Sequence, residues 1–449
     1  MDRLPRTEST PFMTLSYDQI QALDTRHVWH PFTQAGTAAP AIMAVAAEGA
    51  TIHAADGRDY LDLVSSWWVN LHGHGHPAIA RAIAEQAGRL EQVIFADFTH
   101  EPAARLAAAV CGLLPGDLNR AFYSDDGSTA VEVALKLAHQ YWRNLGETRG
   151  TYIAFEGGYH GDTAGAMSAG HSSGYFSAWK EMLFPVETVP FPATWDGDDE
   201  VEAREKASLD ALAQAFKRHG GDVAAVIIEP LIQGAAGMRM CRPDFLRALS
   251  ALVRESGSLL ILDEVMTGFG RTGDLFACVK AAITPDLICL SKGLTGGFVP
   301  LSMTVARDRI FDAFLGQDLS RAFLHGHSYT ANPLGCAAGL ASLDLLLADD
   351  CRSRRGAIET IHRRRLDRLA GRGKVGRTRL TGTVAALDVG GSGEGYGAEV
   401  APRLKSAFLK RGLLLRPLGN VLYLLPPYCI TEAELDRAWD AVEEVLEDL

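Results

Sequence analysis

The chain has 449 residues, 47% of them apolar and 22% charged, with a net charge of −12. That length suggests about two or three domains, and the composition is that of a globular protein. An acidic balance argues against a nucleic-acid surface, and no apolar stretch reaches the roughly eighteen residues of a membrane span.

Residues 1–16 read as a disordered lead-in; Met1–Thr14 is polar and carries no apolar segment, so it does not read as a signal peptide. The seven cysteines are scattered without a Cys-x-x-Cys pair, which fits reduced thiols in a cytosolic protein. A hairpin is predicted with Ala54–Asp59 as its turn, between Thr51-Ile52-His53 and Tyr60-Leu61-Asp62-Leu63. Trp67 and Trp68 come next at a strand end, where alternation would turn their rings to opposite sides. One of them is therefore a candidate pocket wall. His72-Gly73-His74-Gly75-His76 resembles a metal site, but no carboxylate or cysteine cluster accompanies it and a tight turn explains it. No metal is expected.

Pro77–Leu90 and Pro102–Leu114 have helical periodicity, and Arg120–Ser124 reads as a short strand. Gly127-Ser128-Thr129 then opens an amphipathic helix through Val131, Ala134, Leu135, Ala138, Tyr141 and Trp142. Strand, glycine, hydroxyl and helix start is an arrangement that can hold a phosphate, because free N–H groups and the helix dipole face the anion. A plain N-cap would look the same. Thr151–Phe155 is a further strand, succeeded by the loop Gly157-Gly158-Tyr159-His160-Gly161-Asp162. Residues 193–222 are polar and read as a loop and surface helix, and Val223–Ile228 is a strand ending in Glu229-Pro230.

Two short apolar runs dominate the stretch from residue 259 to residue 292. Leu259–Leu262 ends in Asp263-Glu264, and Leu287–Leu290 ends in Ser291-Lys292. Both read as strands buried on two faces of a parallel sheet, each delivering a charged group at its C-terminal end, where open α/β sheets keep their ligand crevice. Between them, Gly268-Phe269-Gly270-Arg271-Thr272-Gly273 matches a dinucleotide-binding fingerprint. Its glycines start too far past the strand, however, and no long helix comes after them. At least five strands alternate with helices over residues 120–292, which predicts an α/β fold with a doubly wound parallel sheet. From about residue 340 the chain reads as a smaller α+β domain. It has a helix over Cys336–Leu347 and a basic segment, Arg352–Arg379, with eleven Lys or Arg residues. That segment reads as a solvated helix face around Ile358, Ile361, Leu366 and Leu369. A glycine-rich loop at Gly390–Gly397 and strand-like Gly412–Pro417 and Val421–Leu425 complete it. Arg416, after a run of leucines, suits either a carboxylate-binding role or a structural ion pair.

These elements converge on pyridoxal phosphate. That cofactor needs a lysine for a Schiff base, an acid at its ring nitrogen and an anion cradle, met by Lys292, Asp263 and the Gly127-Ser128 helix start. With Trp29–Thr33, Ser65–Trp68, Gly127–Glu132, Gly158–Asp162, Ile228–Pro230, Asp263–Gly273, Ser291–Gly293 and Arg416-Pro417, the chain resembles class III pyridoxal-phosphate aminotransferases of fold-type I along nearly its whole length. The resemblance implies a large cofactor-binding domain over residues 76–340 with a mostly parallel central sheet. It also implies a small α+β domain over 341–449, to which residues 1–75 contribute. It further implies that Lys292 holds the cofactor and shuttles a proton, Asp263 pairs with the ring nitrogen, and Tyr159 stacks on the ring. Gly127 and Ser128 would bind the phosphate together with His327 and Ser328 from the neighbouring subunit of a homodimer.

The double tryptophan, the Tyr-His-Gly-Asp loop and the late arginine narrow the resemblance to the branch that serves biotin biosynthesis. Its members take an amino group from S-adenosylmethionine to 8-amino-7-oxononanoate. For that branch the resemblance implies that Trp67 and Gly326 line the substrate channel and that Arg416 takes the acceptor's carboxylate. Phe32 stands where the family often has Tyr, and His327-Ser328 where it more often has Pro-Thr. The alternatives are an ω-aminotransferase for ornithine, 4-aminobutyrate or another diamine and, more distantly, a nucleotide-binding dehydrogenase.

Overall fold

A computed structural model describes residues 15–390 and 400–449. The lead-in through residue 14 and the Gly390–Gly397 loop beyond Gly390 lie outside the described residues. A seven-stranded sheet forms the centre. Its strands are β1 Leu118–Ser124, β2 Thr151–Phe155, β3 Glu187–Val189, β4 Val223–Ile228, β5 Leu259–Asp263, β6 Leu287–Leu290 and β7 Ser302–Arg307. They lie in the order β1-β7-β6-β5-β4-β2-β3. The run from β6 to β3 is parallel, whereas β7 is antiparallel to both its neighbours. Every residue of β4, β5 and β6 is buried. The apolar runs are continuous because helices cover both faces, and each Leu or Ile so buried contributes about 1.5–3 kcal/mol.

Strand β7 has no counterpart among the expected elements. Its Ser302 and Thr304 break the apolar signal, yet both are buried; the Thr304 hydroxyl donates to the Ala130 carbonyl of the helix above at 2.7 Å. The register pairs Ile261 with Leu287 and Asp263 with Cys289. Strands β5 and β6 therefore end level, which sets Asp263 and Lys292 at one edge of the sheet.

The expected hairpin is present, with Thr51–Ala54 antiparallel to Asp59–Asp62. Ala44–Glu48 adds on one side and Leu413–Leu414, from the far end of the chain, on the other. Another sheet, antiparallel Val375–Thr381, Val384–Val389 and Val421–Leu424, packs under the helix Asp349–Leu369, against which the helix Glu432–Glu447 is set. The basic segment is less solvated than its charge suggests. Ile358, Ile361, Leu366 and Leu369 are buried as expected, but so are Arg355, Arg365 and Arg379. Arg365 donates to Asp436, Asp440 and Glu443 and so ties the two helices together.

Two motifs find structural uses. In the histidine run, His74 pairs with Asp62 at 2.9 Å, His72 with Ser342 at 3.1 Å, and His76 caps the helix Pro77–Ala87. No group of three or more metal-ligating side chains occurs among the described residues. The Gly268–Gly273 motif is a loop succeeded only by the short helix Ala277–Lys280. A Cβ on Gly270, whose φ is +93°, would lie 2.4 Å from Arg355 Nη1. Fully buried Arg271 donates at 2.9 Å to both the Asn70 and the Pro426 carbonyls, joining the N- and C-terminal parts beneath the sheet edge. This is a clamp, not a nucleotide loop.

Candidate active site

At the C-terminal edge of β4, β5 and β6 lies a cavity of ≈ 520 Å³ whose wall includes Glu229, Asp263 and Lys292. Each ends or closely succeeds an all-apolar strand, so each charge is drawn out of water by the fold itself. Burial pushes the Lys292 amine down to about 8 against the opposing pull of Asp263 and Glu229. Burial also pushes Glu229 up to about 7, and the nearby Asp263 charge acts in the same direction. Lys292 has a φ of +39°, a left-handed conformation costing about 1–2 kcal/mol outside glycine. Its Nζ stands 4.7 Å over the Trp68 ring. Asp263 is held on both oxygens, by the Val265 N–H at 3.1 Å and by His160 Nδ1 at 2.7 Å. Burial opposes a charge on His160, but the bond to Asp263 and its charge outweigh that and raise the imidazole's pKa.

The other end of the cavity is the start of the helix Gly127–Asn144, where Asp126, not Ser128, is the N-cap; it accepts from the Thr129 N–H at 2.9 Å. The Gly127 and Ser128 N–H groups donate to nothing among the described residues. Ser128 Oγ accepts from the Asp162 N–H at 3.0 Å, which leaves its own proton to donate. Both glycines are dictated by space. A Cβ on Gly127 would lie 2.6 Å from Val265 Cγ1, and one on Gly161, whose φ is +121°, 2.0 Å from Ser128 Oγ.

The outer wall is aromatic. Ser65, Ser66 and Trp68 all have positive φ, and Asp62 accepts from the Val64 and Ser66 N–H groups to hold the kink. The expected alternation of the two tryptophans fails for that reason, since they stand on a kinked turn and both line the cavity. Trp68 is buried, its indole N–H donating to Tyr423 Oη at 2.9 Å. Trp67 is half-exposed; its ring meets Phe32 at 5.5 Å and carries the Arg416 guanidinium at 4.6 Å. Arg416 has no ion-pair partner among the described residues, so the structural-pair alternative for it is not realised. Tyr159 reaches the cavity with its ring stacked on Phe176, and its N–H donates to Glu229 at 3.0 Å.

A half-buried lysine whose pKa is lowered, an acid fixed at a neighbouring strand end and an open anion cradle make a site for carbonyl–amine chemistry on a phosphorylated group. Known proteins agree. The family description for class-III aminotransferases matches residues 32–446. The chain belongs to that family. This aminotransferase is 56% identical over 423 residues to adenosylmethionine-8-amino-7-oxononanoate aminotransferase of Synechococcus elongatus, covering 94% of this chain and 99% of the relative. Its fold matches the crystal structure of the enzyme of that name from Methanocaldococcus jannaschii with a TM-score of 0.90 at 33% identity, over 96% and 99% of the two chains. It also matches a PLP-bound amine transaminase from an uncultivated Pseudomonas species, with a TM-score of 0.87 at 30% identity over 94% and 98%.

In this aminotransferase the structure brings Trp67, Gly127, Ser128, Tyr159, Asp263, Lys292 and Arg416 to one cavity. Gly326, His327 and Ser328 do not line it within the same chain. His327 Nε2 lies 3.8 Å from Asp125, and the Ser328 carbonyl accepts from Gln92. Phe32 lines the outer wall, so the departure from the family's Tyr falls inside the site. Sequence reasoning left Glu229 and His160 without roles. Glu229 carried the same signal as Asp263, a charge closing an apolar strand; the pairing of His160 spans 103 positions and has no local signal.

Proposed function

We propose that this chain is an adenosylmethionine-8-amino-7-oxononanoate aminotransferase of biotin biosynthesis, using pyridoxal phosphate. The observation that carries the chemistry is half-buried Lys292, its amine pushed down to about 8, in one aromatic cavity with Asp263. The 56% identity across nearly the full length of a relative of that name supports the substrates. The cradle fits a phosphate, having two undonated N–H groups, a free hydroxyl proton and no room for a side chain at Gly127. When bound there, pyridoxal phosphate supplies an electron sink for the carbanion at the substrate carbon.

The residues divide the work. Lys292 Nζ would hold the cofactor and would carry the proton to and from the substrate carbon. Asp263 would pair with the ring nitrogen, and Tyr159 would pack on the ring. Gly127 and Ser128 hold the phosphate. Trp67 shapes the channel, and Arg416, with no ion-pair partner among the described residues and carried on Trp67, takes the carboxylate of 8-amino-7-oxononanoate. The amino group passes in two half-reactions through the same cavity, from S-adenosylmethionine and then to the amino-keto acid.

The site is completed in a homodimer, where Gly326, His327 and Ser328 of one copy reach the other's cavity. Large exposed apolar side chains, among them Trp29, Phe98, Leu324 and Tyr329, support an uncovered interface. The seven free thiols support a reducing, cytoplasmic setting, and no described helix is long and apolar enough to cross a membrane.

The likeness to an amine transaminase keeps one other reading, an ω-aminotransferase for ornithine, 4-aminobutyrate or another diamine. Adding each donor to the cofactor-loaded enzyme and monitoring the cofactor absorbance separates them. S-adenosylmethionine should convert the spectrum; conversion by ornithine or 4-aminobutyrate but not by S-adenosylmethionine rejects the proposal.

A further inference from the structure

The loop from Arg321 to Ser328 forms no strand or helix, yet both its ends are tied down. At its base, Asn144 Nδ2 donates to the Arg321 carbonyl at 3.0 Å and Gln140 Nε2 to the Ala322 carbonyl at 2.9 Å. Both donors stand on one face of the helix Gly127–Asn144, four residues apart. At its tip, the His327 N–H donates to Thr330 Oγ1 at 3.0 Å, and the Thr330 hydroxyl returns to the His327 carbonyl at 2.8 Å. Ser328 stands at the corner of that closed turn, and its carbonyl accepts from Gln92 Nε2 at 2.8 Å. Gln92 is itself oriented, since its Oε1 accepts from Asn332 Nδ2 at 3.0 Å. Asn332 is fixed in turn because its Oδ1 caps the helix Pro333–Leu347, accepting from the Leu334 and Gly335 N–H groups. The Gln92 amide thus cannot flip without setting one N–H against another. Ser328 is exposed and is bonded through its carbonyl alone among the described residues, which leaves its hydroxyl for a group outside its own chain.

We infer that Gln92 is a positioning residue: by holding the Ser328 carbonyl, with Asn332 behind it, it sets the Ser328 hydroxyl to donate to the phosphate in the neighbouring copy's cavity. This rests on the pyridoxal phosphate and homodimer readings above. A loop fixed beforehand donates without being ordered at each binding event, which strengthens binding of the cofactor. A hydroxyl on a phosphate oxygen makes a short, charge-assisted bond whose strength falls steeply with misalignment, so a displaced Ser328 loses much of it. The influence crosses the interface. Gln92 does not line the cavity of its own chain, so what it fixes serves the other copy's cofactor.

Gln92→Glu tests this, because it keeps the side chain's size and the bond from Asn332 but has no N–H for Ser328. Titrating the cofactor-free dimer with pyridoxal 5′-phosphate should give a Kd raised roughly fivefold, with kcat at saturating cofactor within about twofold of wild type. Ser328→Ala should raise Kd roughly tenfold. Adding Gln92→Glu to it should raise Kd less than about twofold further, because the glutamine acts through the serine. Hybrid dimers then locate the effect. When one copy carries Lys292→Met, only the other copy's site turns over. Gln92→Glu on the Lys292→Met copy should raise the cofactor concentration needed for half-maximal activity; on the active copy it should leave that concentration unchanged. A wild-type Kd in Gln92→Glu beside a weakened Ser328→Ala would overturn the inference. So would additive effects in the combined variant, or weakening confined to the site of the copy that carries Gln92→Glu. If that variant does not fold or dimerise, Gln92→Leu takes its place with the same expected and contrary results. An unchanged Kd in Ser328→Ala would instead reject the reading that the partner's Ser328 completes the site, and the inference with it.

Discussion

The central sheet has a cavity at each edge, and the two treat charge in opposite ways. The one at the N-terminal edge, ≈ 620 Å³, is lined by Arg247, Arg254, Arg307 and Arg309. Its buried acid, Asp286, accepts from Arg309 at 2.6 Å and from the Leu260 N–H at 2.9 Å, while Arg307 pairs with Asp117 at 2.6 Å. The charges there are matched or exposed to water, and they stabilise the fold modestly. At the C-terminal edge half-buried Lys292 and buried Glu229 have no ion-pair partner among the described residues, and both have pKa values pushed toward neutrality. Matched charge marks structure; charge kept from its partner marks chemistry.

Lys292→Met tests this contrast hardest. Activity should fall about a thousandfold or more, since both the covalent link and the proton carrier are lost. The cofactor-free protein should nevertheless become more stable. Burial lowers the amine from 10.5 to about 8, so between those values the unfolded chain binds more protons and wild-type stability rises with pH. Below pH 8 the cost is fully present, and the variant should gain roughly 2 kcal/mol in denaturant unfolding, a gain that fades toward pH 10.5. An unchanged or lower stability at pH 7 would break the comparison.

Asp263→Ala should lower kcat by on the order of a hundred- to a thousandfold in steady-state assays. Arg416→Ala should act mainly on the acceptor half-reaction, raising KM for 8-amino-7-oxononanoate by roughly 10- to 100-fold and leaving conversion by S-adenosylmethionine within a few-fold. The opposite edge should show the smallest effect. Arg309→Ala should leave kcat and KM unchanged and cost about 1 kcal/mol in chemical denaturation, because Asp286 keeps the Leu260 N–H.

Much of the fold was legible because continuous apolar runs make buried strands. Thr151–Phe155, Val223–Ile228 and Leu287–Leu290 fall where their composition puts them. Antiparallel β7 was not legible, since Thr304 reads as polar until the Ala130 carbonyl is seen to receive its hydroxyl. Asp263, Lys292 and the Gly127 helix start were visible as strand-end and helix-start signals. The placing of both tryptophans on one wall was not, because it depends on positive φ at Ser65, Ser66 and Trp68, residues without a glycine's signature. The buried arginines of the basic segment were misread as solvated: the carboxylates that Arg365 meets stand some seventy positions away, and Arg355 and Arg379 donate to the backbone carbonyls of Gly273, Gly237 and Met238, which carry no sequence signal.

The central claim is that Lys292 and Asp263 hold the two ends of one cofactor. Reducing the holoenzyme with borohydride and mapping the modified peptide by mass spectrometry tests it most directly. A pyridoxyl adduct confined to Lys292, and lost in Lys292→Met, is the predicted result; an adduct on another lysine, or none on a protein loaded with the cofactor, would contradict it.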